Sequence, residues 1–266
     1  MSKIEWTHIP GYRGETLNCV TGCTQISAGC ANCYSKRMTH RLQKMYEAKI
    51  AKGEDSPGLA KYRYGFDEVV CHDDVLDILL HWEKPRSVFI NSMSDTFHED
   101  VPEYFIRNLW NEMNNYDHGH IFWILTKRSR RMVEVLKTRD LSELTYNKGV
   151  RWTPNIWLGV SVEDANNKYR IDDLRQTGAA VKFISFEPLL GAIGCLDLRG
   201  IDLAIIGSES GPGARPMKEE WVRDIIEQCK QADVSIFYKQ KQVGRKKTSC
   251  PTIDGKRYRE FPKIIT

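Results

Sequence analysis

Four of the eight cysteines in this 266-residue chain are gathered at Cys19, Cys23, Cys30 and Cys33, while Cys71, Cys195, Cys229 and Cys250 are scattered. Thiolates are ligands for zinc and for iron-sulfur clusters, and Gly22 and Gly29 give the loop between them freedom to bend several sulfurs around one centre. Two metal arrangements follow from this donor set. Four cysteines would close a structural zinc or cluster site, whereas three would hold a [4Fe-4S] cluster whose fourth iron stays open for chemistry. Spacing alone leaves that choice open. For the scattered four the expectation is packing, because an isolated cysteine behaves as a small hydrophobe. A disulfide framework is not expected: Met1 to Pro10 carries Glu5 and His8 where an export signal needs an apolar centre, which points to a cytoplasmic protein with reduced thiols.

Further chemistry-bearing residues recur directly after short apolar runs. Asn91, Ser92, Ser94 and Asp95 close the run beginning at Ser87, and Thr126 and Lys127 follow His120 to Leu125. Ser161, Glu163 and Asp164 follow Asn155 to Val160, and Glu187 follows Val181 to Ser185. Ser208 and Glu209 follow Leu203 to Ile206, and Lys239 and Gln240 follow Ser235 to Tyr238. Glu187 and Glu209 are the expected proton-transfer groups or ligands, since a glutamate drawn toward a closed mouth has to be paired or used. Lys127 and Lys239 suit a cofactor carboxylate, a phosphate or those glutamates. Asp95 and Asp164 equally suit helix caps. The turn Gly207 to Gly213 does not match a phosphate-binding P-loop. The histidines have no paired spacing with the cysteines, and the tryptophans are expected in packing.

The elements that must position these residues alternate. Between the apolar runs lie segments at helical spacing, from about Pro102 to Asn115, from Arg128 to about Lys137, up to Gln176, and from about Lys218 to Gln231. Near-continuous apolar strands separated by helices specify a parallel sheet covered on both faces. With a strand near Thr16 to Val20, about seven parallel strands are expected, in an α/β fold of the complete or partial (β/α) barrel kind, although a doubly wound open sheet would produce the same pattern. In a barrel the strands' carboxyl ends carry the site, so the cysteine loop and the polar residues converge on one mouth. One domain, 1–266, accommodates all of this. Its expected embellishments are a helix from Tyr34 to Ala51 with Met38, Leu42, Met45 and Tyr46 on one side, an exposed insertion near 52–65, a short helix from Asp74 to Trp82, and a basic C-terminal extension from about 240.

Several stretches carry a resemblance to a known family: Ile4-Glu5-Trp6-Thr7, Val20-Thr21-Gly22-Cys23, Gly29-Cys30-Ala31-Asn32-Cys33-Tyr34, Asn91-Ser92-Met93-Ser94-Asp95, Leu125-Thr126-Lys127-Arg128, Leu158-Gly159-Val160-Ser161-Val162-Glu163-Asp164, Phe186-Glu187-Pro188-Leu189-Leu190-Gly191, and the run from Ser208 to Met217. Together they resemble an uncharacterised, phage-associated, radical-SAM-like protein family over nearly the whole chain. The resemblance implies a partial (β/α) barrel of the radical-SAM type in which Cys23, Cys30 and Cys33 ligate a [4Fe-4S] cluster. It further implies that S-adenosyl-L-methionine is cleaved reductively to a 5′-deoxyadenosyl radical. By analogy, Asn91, Ser92, Ser94 or Asp95 would meet the methionine amino group, Lys127 would contact the cofactor, and Ser161 and Glu163 would meet the ribose. Two departures stand out. The cysteine spacing is six and then two residues where the usual loop has three and then two, and Cys19 stands where proline is expected.

Composition bounds the partners. Hydrophobic residues make up 41% and charged residues 28%, which is globular composition, and no stretch is long and apolar enough for a membrane helix. The net charge of +4 suggests no partner by itself, but Lys239, Lys241 and Arg245 to Lys247, with Lys256, Arg257 and Arg259, form either a solvated face or a strip that contacts phosphates. The leading expectation is a radical SAM enzyme with Glu187, Glu209 and Lys239 as catalytic groups, an electron donor as partner, and a nucleobase in phage DNA as substrate. A base inside a duplex would have to be flipped out to react. The alternative is a non-catalytic nucleic-acid-binding protein with Cys19, Cys23, Cys30 and Cys33 around a structural zinc or iron-sulfur site. A third reading keeps cluster and cofactor but serves as a sensor.

Overall fold

The computed structural model describes residues 4–115, 119–136, 150–244 and 246–262. Its apolar runs become strands β1 (Arg13–Leu17), β4 (Arg86–Ile90), β5 (Ile121–Thr126), β6 (Ile156–Ser161), β7 (Val181–Phe186), β8 (Leu203–Gly207), β9 (Ser235–Val243) and β10 (Lys246–Ser249), with the short strands β2 (Val20–Thr21) and β3 (Val70–Cys71) inserted after β1. The eight-stranded sheet has the order β1-β4-β5-β6-β7-β8-β9-β10; its first seven strands pair in parallel, and β10 adds antiparallel to β9. This is a half-barrel, so the parallel sheet read from the apolar runs is present and curls without an open doubly wound order.

The crossovers are α3 (Glu103–Asn115), α4 (Ser129–Val135), α5 (Tyr169–Arg175) and α6 (Glu219–Gln231), which follow α1 (Tyr34–Ile50) and α2 (Pro57–Ala60) in the chain. Because successive strand residues point to opposite faces, each strand feeds two cores. Val88, Ile90, Phe122, Ile124, Leu158 and Val160 join the helices in the larger core, while Phe89, Trp123, Trp157, Phe183 and Phe237 fill the inside of the curl. Trp6, on a 3-10 turn at Glu5–Thr7, closes that inside, its ring 4.7 Å from Phe89 and 4.9 Å from Trp123. Gly159 makes room there: a Cβ on it would stand 2.4 Å from the Phe183 ring.

Four expectations need correction. The first strand ends at Leu17, and Val20–Thr21 is a separate strand paired antiparallel with Val70–Cys71, because the Asn91 side chain takes the Val20 N–H and draws the chain off the sheet. The 52–65 segment is largely exposed, as expected, and contains the short helix α2, which starts at a proline suited to a first helical turn. Asp73–His81 is a 3-10 helix, whose three-residue turn keeps Leu76 and Leu79 on one buried side. The segment from Lys239 is not an extension: β9 continues to Val243 and β10 turns back, so the basic residues form the sheet's last hairpin and its exposed, lysine-bearing edge. Helix α1 also turns its apolar residues outward. Tyr34, Met38 and Met45 are exposed, and the small Ser35 and Thr39 face the protein. His118, Lys137 and Arg245 lie outside the described residues. Among the described residues no helix is long and apolar enough to cross a membrane.

Candidate functional site

At the carboxyl ends of the strands the curl encloses a cavity of about 370 Å³. Cys23, Cys30 and Cys33 stand on its wall, and the strand-end residues Asn91, Ser92, Ser94, Asp95, Lys127, Ser161, Glu187, Glu209 and Lys239 stand there with them. Every expected site residue except Glu163 therefore lines one space. All eight cysteines are free thiols, and Cys23, Cys30 and Cys33 are partly accessible. Cys19 is not on the wall. It is fully buried, its Sγ lies 3.4 Å from the Asn91 Oδ1 it donates to, and burial pushes its thiol up to about 12.

The cysteine loop is held by carboxylates. Glu163, wholly buried at the end of β6, accepts hydrogen bonds from Ser27 Oγ at 2.7 Å and Arg170 Nη1 at 2.9 Å, and Lys127 Nζ lies 3.8 Å from it. Gly29 passes so close that a Cβ would stand 2.4 Å from the Glu163 carboxylate. Glu163 thus reaches the loop and not the cavity. Glu209, after β8, accepts from Asn32 Nδ2 at 2.8 Å and from the Arg215 backbone at 2.8 Å, and it forms a close ion pair with the Arg215 guanidinium, whose Nη2 also reaches the Ala28 carbonyl. Burial raises the Glu209 carboxyl, but the Arg215 and Asn32 hydrogen bonds outweigh it and bring it down to about 2.

Asp95, after β4, spends both oxygens. Oδ1 accepts from Thr126 Oγ1 at 2.7 Å and Phe97 N at 3.0 Å, and Oδ2 accepts from Lys127 N at 3.1 Å and Arg128 Nη1 at 3.4 Å. Asn91, in the left-handed region at φ 54°, takes the Val20 N–H at 2.9 Å and donates to Thr96 Oγ1. Ser94 Oγ donates to the Val20 carbonyl, and Ser92 Oγ to Asn18 Oδ1. Lys127 Nζ donates to Ser161 Oγ at 3.2 Å.

The ends of β7 and β9, interleaved with those of β6 and β8 around the same mouth, are built differently. Lys239 Nζ lies 2.7 and 2.8 Å from the two oxygens of Glu187, and Gln240 Nε2 adds a third hydrogen bond at 3.0 Å. Glu5 and Lys247 complete this end of the cavity, with Glu5 accepting from Ser249 Oγ. Sequence reasoning missed three members of the site: Glu5, Tyr34, whose hydroxyl donates to the Ser92 carbonyl, and Arg128. For Arg128 a signal was present, a cation directly after an apolar strand, as at Lys127 and Lys239.

The donor set fits an iron-sulfur cluster. Three accessible thiols share one wall, the Gly29 backbone is pressed onto Glu163, and a guanidinium stands beside one sulfur to offset thiolate charge. Among the described residues no three His, Cys, Asp or Glu side chains are drawn together as the ligands of one metal ion would be. In comparisons with known proteins, the model of a family described as a protein of unknown function, DUF5131, matches residues 1–262. No curated protein and no solved structure matches.

Proposed function

From the premise that the chain belongs to the DUF5131 family, we propose that it is a radical S-adenosyl-L-methionine enzyme with Cys23, Cys30 and Cys33 as ligands of a [4Fe-4S] cluster. The observation that carries this reading is the separation of the cysteines: three thiols on the wall of the strand-end cavity, and Cys19 sealed away from it. A four-cysteine structural site would need Cys19 on the same side. When bound, the cluster supplies the electron that cleaves S-adenosyl-L-methionine to a 5′-deoxyadenosyl radical.

The chain's own residues do the positioning. Glu163 and Glu209 hold the cysteine loop against the ends of β6 and β8, and Asp95 braces the turn after β5, leaving Ser92, Ser94, Lys127 and Ser161 to orient the cofactor's polar groups. Glu187 and Lys239, paired at the ends of β7 and β9, are the groups for a substrate's proton or hydrogen-bonding edge. Lys247 on the cavity wall and Lys246 beside it favour a substrate carrying phosphate, and a nucleobase in DNA is the substrate class to test first. An external electron donor and a reducing cytoplasm complete the requirements.

Anaerobic reconstitution with iron and sulfide should give a brown protein that forms 5′-deoxyadenosine from S-adenosyl-L-methionine under dithionite. Cys30→Ala should abolish both the colour and the product. A colourless protein that binds zinc, and loses it equally with Cys19→Ala and Cys33→Ala, would overturn the reading in favour of the structural site.

A further inference from the structure

One side chain of the cysteine wall has no place in the mechanism above. Arg128 follows β5, and its side chain is 3% exposed. All five of its N–H donors are used. Nε reaches Glu99 Oε2 at 2.8 Å; Nη1 reaches Cys23 Sγ at 3.6 Å and Asp95 Oδ2 at 3.4 Å; Nη2 reaches the Thr24 carbonyl at 3.1 Å and Thr24 Oγ1 at 2.9 Å. The planar fork therefore grips the Cys23-Thr24 dipeptide from side chain and backbone at once, which a lysine's single head cannot do. His98 fixes the same point. Its Nδ1 accepts from Asp100 N, so Nε2 carries the proton and donates to Thr24 Oγ1 at 2.8 Å.

Among the described residues, Cys23 is the one of the three thiols that a guanidinium or ammonium reaches within hydrogen-bond distance. The nearby negative charge comes from Asp95, almost as buried as Arg128, and from Glu99 at the surface. Without Arg128, the sulfur of Cys23 would face a buried carboxylate with nothing to offset it. A cation and an N–H aimed at a ligand sulfur favour the electron-richer state of a cluster, and removing them disfavours it.

Resting on the radical SAM reading, we propose that Arg128 is a positioning residue that fixes the Cys23-Thr24 turn and raises the reduction potential of a cluster held there, easing its one-electron reduction by the external donor. No bond forms or breaks in this step; one electron passes from donor to cluster. Arg128 acts through Cys23 and touches neither cofactor nor substrate.

The test is a dithionite titration of the reconstituted wild-type protein and its Arg128→Gln, Arg128→Lys and Glu99→Gln variants, followed by electron paramagnetic resonance. In Arg128→Gln the ratio of reduced to oxidised cluster at a fixed potential should fall about tenfold, a 59 mV drop in midpoint for one electron. Arg128→Lys, which keeps the charge and loses the fork, should fall less. Glu99→Gln, which removes an exposed carboxylate from the guanidinium, should shift the midpoint upward. If Arg128→Gln takes up no cluster, the other two variants decide. A purely structural Arg128 would change cluster content or melting temperature and leave every midpoint at the wild-type value, and that outcome overturns the proposal alone. A wild-type protein that takes up no cluster overturns the radical SAM reading and this proposal with it.

Discussion

Two interleaved sets of strand ends around the cavity carry similar residues in opposite conditions. On the cysteine wall the carboxylates of Glu163, Glu209 and Asp95 are 0%, 4% and 8% exposed, and each is saturated by loop backbone, arginine or hydroxyl donors. At the ends of β7 and β9, Glu187 and Lys239 are 18% and 16% exposed and mainly answer each other. A carboxylate buried among donors from distant parts of its own chain holds those parts in place. An ion pair that keeps some exposure to the cavity has a face left for something else. The alternation follows the sheet: Asp95, Glu163 and Glu209 follow β4, β6 and β8, whereas Glu187 and Lys239 belong to β7 and β9. Glu209, expected from the sequence to be catalytic, ties the loop to the end of β8, and under the proposed function Glu187 and Lys239 are the groups left for the reaction.

The largest effect expected is all or none. Cys30→Ala should lose iron and 5′-deoxyadenosine together, while Cys19→Ala should keep both and lose only stability, read by iron content and product formation in parallel. Next, Glu187→Gln and Lys239→Met should lower substrate turnover by about 10² to 10⁴-fold, the range for a lost proton-transfer group, with cluster content and cofactor cleavage unchanged. Glu209→Gln should do the reverse: turnover per loaded cluster stays, and the unfolding free energy falls by ~2 kcal/mol as charged hydrogen bonds are lost. If Glu209→Gln stopped turnover in a fully loaded, stable protein, the contrast between the two sets of strand ends would be broken.

Much of this was legible in the chain. The apolar runs ending at Asn91, Thr126, Ser161 and Gly207 announce parallel strands because strands covered on both faces are apolar throughout, and the residues after them duly reach one mouth. What the sequence could not tell apart was a side chain facing the space from one facing the loop. Glu163 and Glu187 both follow their strands within two residues, and the difference arises from Arg170 and from Ser27, 136 residues away, closing on the first. Cys19 was ambiguous for the same reason: its burial depends on Asn91, 72 residues away. The basic segment near the end misled because charge alone does not distinguish a tail from an edge hairpin.

A smaller expected effect concerns the fit of the loop. Gly29→Ala would place a methyl 2.4 Å from the Glu163 carboxylate, which Arg170 holds from the other side, so the loop must move. Overpacking of this kind costs about 1 to 3 kcal/mol. The displacement should show as slower cluster uptake, whereas Gly58→Ala, with nothing near its Cβ and no left-handed backbone, should leave uptake unchanged.

The smallest effect is in the acid response of the groups around the cysteine loop. The folded Glu209 carboxyl lies near 2 against an ordinary 4.5, so the unfolded chain binds its proton first. Its stabilisation is complete above pH 4.5 and is lost as pH falls toward 2. His98 adds a shallower loss beginning higher. Burial, and then the charge of Arg128, lower it from 6.5, so protonation below that pH favours the unfolded chain. Urea unfolding at pH 7 and pH 3 should therefore show the wild type losing more stability than Glu209→Gln, and the two converging in acid. Because Glu209 ties Asn32 and Arg215 to the loop, the same titration should release bound iron sooner in the wild type than its global unfolding would require. Iron retained until the whole chain unfolds would mean that the loop does not depend on the carboxylate that holds it.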